Sequence, residues 1–306
     1  MSLSDDLRAE LAAIAPTKDC DVLAELSGLF HAAGTVHLRG RGNVSVHLDV
    51  STSATARRGF ALLRKVGVAS EIRTYSRHAF DRATRYQLHV AGDGTALGIL
   101  RDAGVLTQRR GPLDHPPRRV VARSCCRRAY LRGALLGGGT MSGPRALHLE
   151  IRSATPEGAQ FAADVARRER ARLRVHDRGR HAIAYAKGAE EIGAVLAAAG
   201  ADNVVLSLEE QAVMGATRAR ANRLANADHA NLVRTSRAAH DQLAAVERLR
   251  SSGELAKLDH TLQEIAELRA RHPTLPLREL ARKCRPSATK ATAHRRLQKL
   301  LQIADN

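Results

Sequence analysis

Two stretches of this chain repeat one pattern at a fixed distance, and that repeat constrains the fold more than any other feature. Residues 26–35 read LSGLFHAAGT and residues 131–140 read LRGALLGGGT. Gly28 falls on Gly133, Gly34 on Gly139, Leu26 on Leu131 and Thr35 on Thr140, every pair 105 residues apart. The elements after each copy come in the same order. After the first, TVHLRGRGNVSVHLDV reads as a hairpin through Gly40 and Gly42. A helix over about Thr52–Lys65, strands at Glu71–Arg77 and Thr84–Ala91, and a helix at Gly94–Ala103 follow. After the second come the strand LHLEIRS, a helix from Pro156, strands near Leu173–His176 and His181–Ala186, and a helix over Gly188–Ala199. Two such halves imply a pseudo-twofold axis with the glycine helices meeting on it. Ser27, Ala32, Ala33, Gly137 and Gly138 leave almost no side chain to hold the two backbones apart. Gly34 and Gly139 are expected in the left-handed conformation that often ends a helix.

The partner class follows from charge. The 306 residues carry a net charge of +18, an excess that points to a polyanion and to nucleic acid before a membrane. No apolar run approaches the roughly 18 residues that span a bilayer. The opening MSLSDDLRAELAAIAP reads as an amphipathic helix rather than a signal peptide, which favours a cytoplasmic protein at the nucleoid. Aromatic residues make up 3% of the chain and tryptophan is absent, too few rings for a single-strand stacking platform. A duplex held by its phosphates fits better. The cysteines, Cys20, Cys125, Cys126 and Cys284, have no pairable spacing and no zinc pattern, and the 14 histidines form no HExxH or H-x₃-H. The adjacent Cys125 and Cys126 are read as small buried residues at a helix start. No metal and no cofactor is expected.

The rest of the chain divides by texture. The Pro- and Arg-rich stretch 104–124 reads as a linker closing a first half at 1–124, and the second half occupies 125–205. Residues 206–254 are helical and polar, and 255–306 form a three-helix pattern. In that tail Leu258, Leu262, Ile265 and Leu268 make one helical face ended by His272-Pro273. A short helix, about Leu275–Lys283, is followed by a break at Arg285-Pro286, with Ser287 expected to cap the last helix. Helix, tight turn, helix is the layout whose second member enters the major groove. The tail holds eleven basic and five acidic residues, a balance of +6. On the last helix Ala293, Leu297, Leu300 and Leu301 form the apolar stripe, and Thr292, Arg295, Arg296 and Lys299 project away from it. Ser287, Thr289, Lys290, Thr292, Arg295 and Arg296 are the candidates for base contact. Arg278, Lys283, Arg285 and Lys299 are the candidates for phosphate.

The duplicated glycine helix resembles the LAGLIDADG motif of homing endonucleases. That resemblance implies an acidic, metal-holding residue just before the last glycine of each copy. Here those positions are Ala33 and Gly138, and neither can ligate a metal. Asp19, Asp21 and Glu25 lie at the wrong end of the first helix, and Asp49 and Glu150 sit in strands and are expected to face solvent. A catalytically dead scaffold is expected, with no enzymatic activity. Strand alternation still lines one sheet face with His37, Arg39, Arg41, Arg73, Arg77, Arg85 and His89. The second half offers His148, Arg152, Arg174, His176 and Arg178.

Over most of its length the chain resembles the WhiA family. The carrying segments are CCRRAYLRGALLGGGTMS (125–142), RANRLANADHANLVRT (220–235), LQEIAELRARHPTLPLRELARKC (262–284) and SATKATAHRRLQKL (287–300). The resemblance implies an α+β fold: a pseudo-twofold LAGLIDADG-like domain of two αββαββα halves, then an all-α helix-turn-helix domain. It also implies a transcription factor that activates sporulation and cell-division genes, with promoter DNA, a WhiB-type iron–sulfur regulator and RNA polymerase as partners. The readings set against it are a residual metal-dependent endonuclease and a sequence-independent nucleoid protein. The Arg- and Asn-rich helix with Arg218, Arg220, Asn222, Arg223, Asn226 and Asn231 has no role derivable from the sequence.

Overall fold

The computed structural model describes residues 2–39, 43–76, 83–143 and 146–305. These form two compact units, Met1–Val213 and Met214–Asn306. Gly40, Gly42, Arg41 and Arg77, all named above, lie outside the described residues.

The first unit begins with α1 (Leu3–Ala13) and then runs α2 (Asp19–Ala33), β1 (Gly34–Arg39), β2 (Asn43–Val50), α3 (Ser53–Lys65), β3 (Glu71–Ser76), β4 (Thr84–Ala91) and α4 (Gly94–Asp102). The same series recurs as α5 (Ser124–Gly138), β5 (Gly139–Ser142), β6 (His148–Ser153), α6 (Pro156–Arg168), β7 (Arg174–Asp177), β8 (Ala182–Lys187) and α7 (Ala189–Ala199). Each half is thus αββαββα. The two sheets are antiparallel and equivalent in order, β1-β2-β4-β3 and β5-β6-β8-β7. Alternation explains their faces. Val44, Val46, Leu48, Val50, Leu88 and Val90 point inward and are buried, while the residues between them face the other way.

The two glycine helices pack backbone to backbone. A Cβ placed on Gly28 would stand 2.1 Å from the Tyr130 carbonyl oxygen, and one on Gly133 would stand 2.1 Å from that of Glu25. No other residue fits either position. The helix ends differ from the sequence expectation, because neither Gly34 (φ −86°) nor Gly139 (φ −75°) is left-handed. Each turns directly into an extended strand. Glycine is needed there for space: a Cβ would meet the Phe30 or Leu135 carbonyl oxygen at 2.5 and 2.4 Å.

Around this axis sits a buried ion cluster. Glu25, wholly buried, accepts from Arg58 at 2.7 and 3.1 Å and from Arg132 at 2.9 Å. Arg58 also donates to the Ile14 carbonyl, and Arg132 to that of Ala199 at 3.4 Å. The cluster joins α2, α3 and α5. The stretch 104–124 carries a 3₁₀ turn, Arg118–Val121, and buries Val105, Leu106, Val120 and Val121 in the same core. Single apolar positions among prolines and arginines carry no period, so the pattern of that segment gives no sign of their burial.

A 50-residue helix, α8 (Asp202–Ser251), follows. The second unit ends in α9 (His260–Arg271), α10 (Leu277–Lys283) and α11 (Lys290–Ala304). Its core joins Leu262, Ile265, Leu280, Ala293, Leu297 and Leu300 to Val246 and Leu249 from the last turns of α8.

Candidate nucleic-acid interface

In the second unit, α10, a six-residue turn and α11 form the helix-turn-helix. Its first helix carries Arg278 and Lys283 on exposed positions, and Arg285 is exposed in the turn, where its backbone N–H donates to Glu264 at 2.6 Å. The cap of α11 is Thr289, not Ser287. Thr289 Oγ1 accepts from the Thr292 N–H at 3.2 Å, and the two hydroxyls lie 2.9 Å apart. Ser287 cannot start the helix because Ala288 is held back: it is half-buried, and its N–H donates to the Ala281 carbonyl at 3.0 Å. We expect Thr289→Ala to cost the unit about 1 kcal/mol and Thr289→Ser to cost little. Urea unfolding of the full chain followed at the second unit measures both; equal losses would remove the cap from the account.

The candidate residues on α11 separate by exposure. Lys290, Arg295 and Lys299 are exposed, as is Ser287 before the helix. Thr292 and Arg296 are half-buried. The Arg296 guanidinium lies beside the Cys284 thiol, which burial and the nearby Glu264 push up and Arg296 draws down. Lys299 stands near Asp259, the residue that caps α9 by accepting from Thr261 and Leu262 N–H at 3.0 and 3.1 Å. The Arg- and Asn-bearing part of α8 is exposed throughout.

In the first unit, Ala33 and Gly138 end α2 and α5 side by side and line a cavity of about 560 Å³. Its walls carry Arg8, Arg85 and Arg152 with one carboxylate, Asp49, so the cavity is cationic. Arg8 reaches in from α1, donates to the Gly139 carbonyl at 2.6 Å, and has no counterpart in the duplicated pattern, so the sequence repeat could not reveal it. Burial holds its guanidinium below the ordinary range, Asp5 opposes this, and Arg85 adds to it. His31 also lines the cavity. Burial lowers its pKa, and its Nδ1 lies 2.8 Å from the Ser27 carbonyl. Asp49 and Glu150 do not face solvent as expected. Asp49 is half-buried and accepts from Tyr75 Oη at 3.0 Å and Gln87 Nε2 at 3.1 Å. Glu150 is half-buried and pairs with Arg178 at 2.9 Å. Both sit on the polar face of a sheet, where neighbouring strands supply donors.

That face is less uniformly cationic than alternation implies. In the first sheet His37, His47 and His89 form a row, with ring centroids 4.2 and 4.8 Å apart. Arg73 there pairs with Glu71 at 2.8 Å. In the second sheet Arg174 pairs with Glu191 at 3.3 Å and His148 stands 3.8 Å from Glu150, while Arg152 and His176 are exposed.

Three family models match this chain: a WhiA N-terminal LAGLIDADG-like domain over residues 19–106, a WhiA LAGLIDADG-like domain over 127–218, and a WhiA C-terminal HTH domain over 221–304. A protein of Heliobacterium modesticaldum named "Probable cell division protein WhiA" is 31% identical over 307 residues, covering 100% of this chain and 96% of its own. The chain belongs to the WhiA family. A crystal structure of full-length WhiA from Thermotoga maritima shares the fold with a TM-score of 0.59 at 22% identity, covering 100% of this chain and 98% of that one. The N-terminal LAGLIDADG domain of a WhiA protein aligns with a TM-score of 0.52 at 19% identity, over 66% of this chain and 96% of that one. The two LAGLIDADG-like matches contain Ala33 and Gly138, and the HTH match contains every candidate of the C-terminal unit. The chain therefore carries LAGLIDADG-like domains followed in sequence by a WhiA-type helix-turn-helix domain. Among the described residues no helix is long and apolar enough to cross a membrane.

Proposed function

We propose that this WhiA-family chain is a sequence-specific, non-enzymatic DNA-binding regulator of transcription that activates sporulation and cell-division genes. The observation that carries the reading is α11, which presents Lys290, Arg295 and Lys299 to solvent at the start and along the outer face of a helix-turn-helix. Thr289 and Thr292 spend their hydroxyls on the cap and on each other, leaving methyl groups for thymine. Ser287, Lys290 and Arg295 then do most of the base reading, with Arg296 at the edge. Arg278, Lys283, Arg285 and Lys299 hold phosphates. Ala33 and Gly138 at the helix ends argue against metal-assisted cleavage. The family resemblance adds a WhiB-type iron–sulfur regulator and RNA polymerase as partners, in the cytoplasm at the nucleoid.

The test is a selection from sheared genomic DNA with the full chain, in magnesium and near-physiological salt, reading both retained sequences and cleaved ends. A shared motif without cleaved ends is the expected result. Arg295→Ala should then weaken binding to that motif by about 1–3 kcal/mol and spare binding to random DNA. Equal loss on both would remove the base-reading role. Cleaved ends would instead establish an endonuclease, and retention without any motif a nucleoid protein.

A further inference from the structure

The N-terminal ends of α2 and α5 also bring side chains together. Cys20 and Asp21 lie in the first turn of α2, and Cys125 and Cys126 in the first turn of α5. The 105-residue offset that relates the glycines also maps Cys20 onto Cys125 and Asp21 onto Cys126. No metal spacing is visible in the sequence because the ligands come as two adjacent pairs from two helices. The pseudo-twofold packing gathers them into one cluster, whose three Sγ atoms and one carboxylate oxygen all lie within 4.8 Å of one another. Cys125 Sγ and Cys126 Sγ are 3.9 Å apart, and Cys20 Sγ lies 3.5 Å from Asp21 Oδ1. A tetrahedral zinc ion with bonds of about 2.3 Å to sulfur sets its thiolates about 3.8 Å apart. Cys126 is buried and the other three are half-buried, which suits a closed site with four protein ligands rather than an open catalytic one.

The two helix N-terminal ends favour negative charge beside them. The N-cap positions of α2 and α5 are Lys18 and Arg123, again 105 apart, and neither makes a side-chain cap. A cation there is the wrong sign for a helix N-terminus and supplies no acceptor to the free N–H groups. A cation held by three thiolates and a carboxylate carries net negative charge, which suits its place at two helix N-terminal ends.

We propose that Cys20, Asp21, Cys125 and Cys126 form a four-coordinate site for a thiophilic divalent cation of the zinc class, tying together the N-terminal ends of the two axial helices. On binding, the three thiols lose their protons to solvent and become thiolates; no electron is transferred. The site lies at the opposite end of the helix pair from Ala33 and Gly138, so its role is to hold the two halves together.

The test uses the full chain, reduced and stripped with a chelator, then titrated with Co(II). One equivalent should bind with the thiolate-to-cobalt charge-transfer band and the intense visible bands of a tetrahedral, sulfur-rich site, and Zn(II) should displace it. Cys20→Ser and Cys126→Ser should abolish the charge-transfer band or cut its intensity severalfold, and Cys284→Ser should leave it unchanged. Circular dichroism of each variant separates loss of metal from loss of fold. Alkylation of the unmutated protein gives a second reading: zinc should protect Cys20, Cys125 and Cys126, measured peptide by peptide against the chelated form. Folded wild-type protein without the cobalt bands, bands that survive Cys20→Ser in a folded variant, or equal alkylation with and without zinc would each overturn the proposal.

Discussion

Gly133→Ala should cost the first unit about 3 kcal/mol or more, a large part of the 5–15 kcal/mol that holds a typical domain folded. The added methyl would stand 2.1 Å from the Glu25 carbonyl oxygen and 2.9 Å from the Leu29 N–H nitrogen. Both are backbone atoms of the facing helix and cannot swing aside as a side chain would. Relief requires the two axial helices to separate, and with them the two sheets that each helix leads into. Gly28→Ala should behave alike, since its methyl would meet the Tyr130 carbonyl oxygen at 2.1 Å. Gly98→Ala is the matched control. Gly98 lies inside α4, and an added Cβ there meets nothing within 4 Å. That change should be neutral or stabilising by about 0.5–1 kcal/mol through helix propensity and the unfolded chain. Urea denaturation of the three variants is the measurement, and similar midpoints for Gly133→Ala and Gly98→Ala would refute the close approach of the two helices.

The same glycines explain why so much of the first unit is legible in the sequence. A strand whose buried residues alternate, as Val44, Val46, Leu48 and Val50 do, announces its face with a period of two. Two copies of one element order announce a symmetric pair. What the pattern could not supply is the choice between alternatives that local chemistry permits equally. Gly34 and Gly139 fit a left-handed helix end as well as an extended one, and only the strand that follows at once decides. Ser287 and Thr289 are both good cap residues, and the contact from Ala288 back to Ala281 selects the second.

The site was legible in the same uneven way. Outward-facing cations on α11 follow from the helical period, because Ala293, Leu297 and Leu300 fix the buried side. The lean of Arg296 toward Cys284 does not follow, since it depends on a residue in the turn before α11. Arg8 enters the cationic cavity from α1, which belongs to neither repeat. The cysteine cluster was hidden for a related reason. Metal spacing rules read ligands along one segment, whereas here symmetry brings them from two.

Glu25→Ala should be as damaging as the glycine substitutions, at about 3–5 kcal/mol, for a reason that lies in charge rather than in space. Glu25 is wholly buried, and the side chains of Arg58 and Arg132 that flank it are 7% and 9% exposed. Deleting the carboxylate leaves two guanidinium groups out of water with, among the described residues, the Ile14 and Ala199 carbonyls to meet them. A buried charge without its partner costs far more than the pair ever contributed. The decisive comparison is therefore with replacement of the whole cluster. Glu25→Leu combined with Arg58→Met and Arg132→Met keeps similar volume and removes every buried charge, so it should recover most of the loss. Such recovery would assign the cost to stranded charge. If the triple variant were as unstable as Glu25→Ala alone, the cluster would instead be holding α2, α3 and α5 in register by its hydrogen-bond geometry. The position symmetry-related to Glu25 is Tyr130, 105 residues on and also buried, so only one half carries the acid. The two halves share a backbone plan, yet the charged joint between them is built from the first half's carboxylate and an arginine from each side.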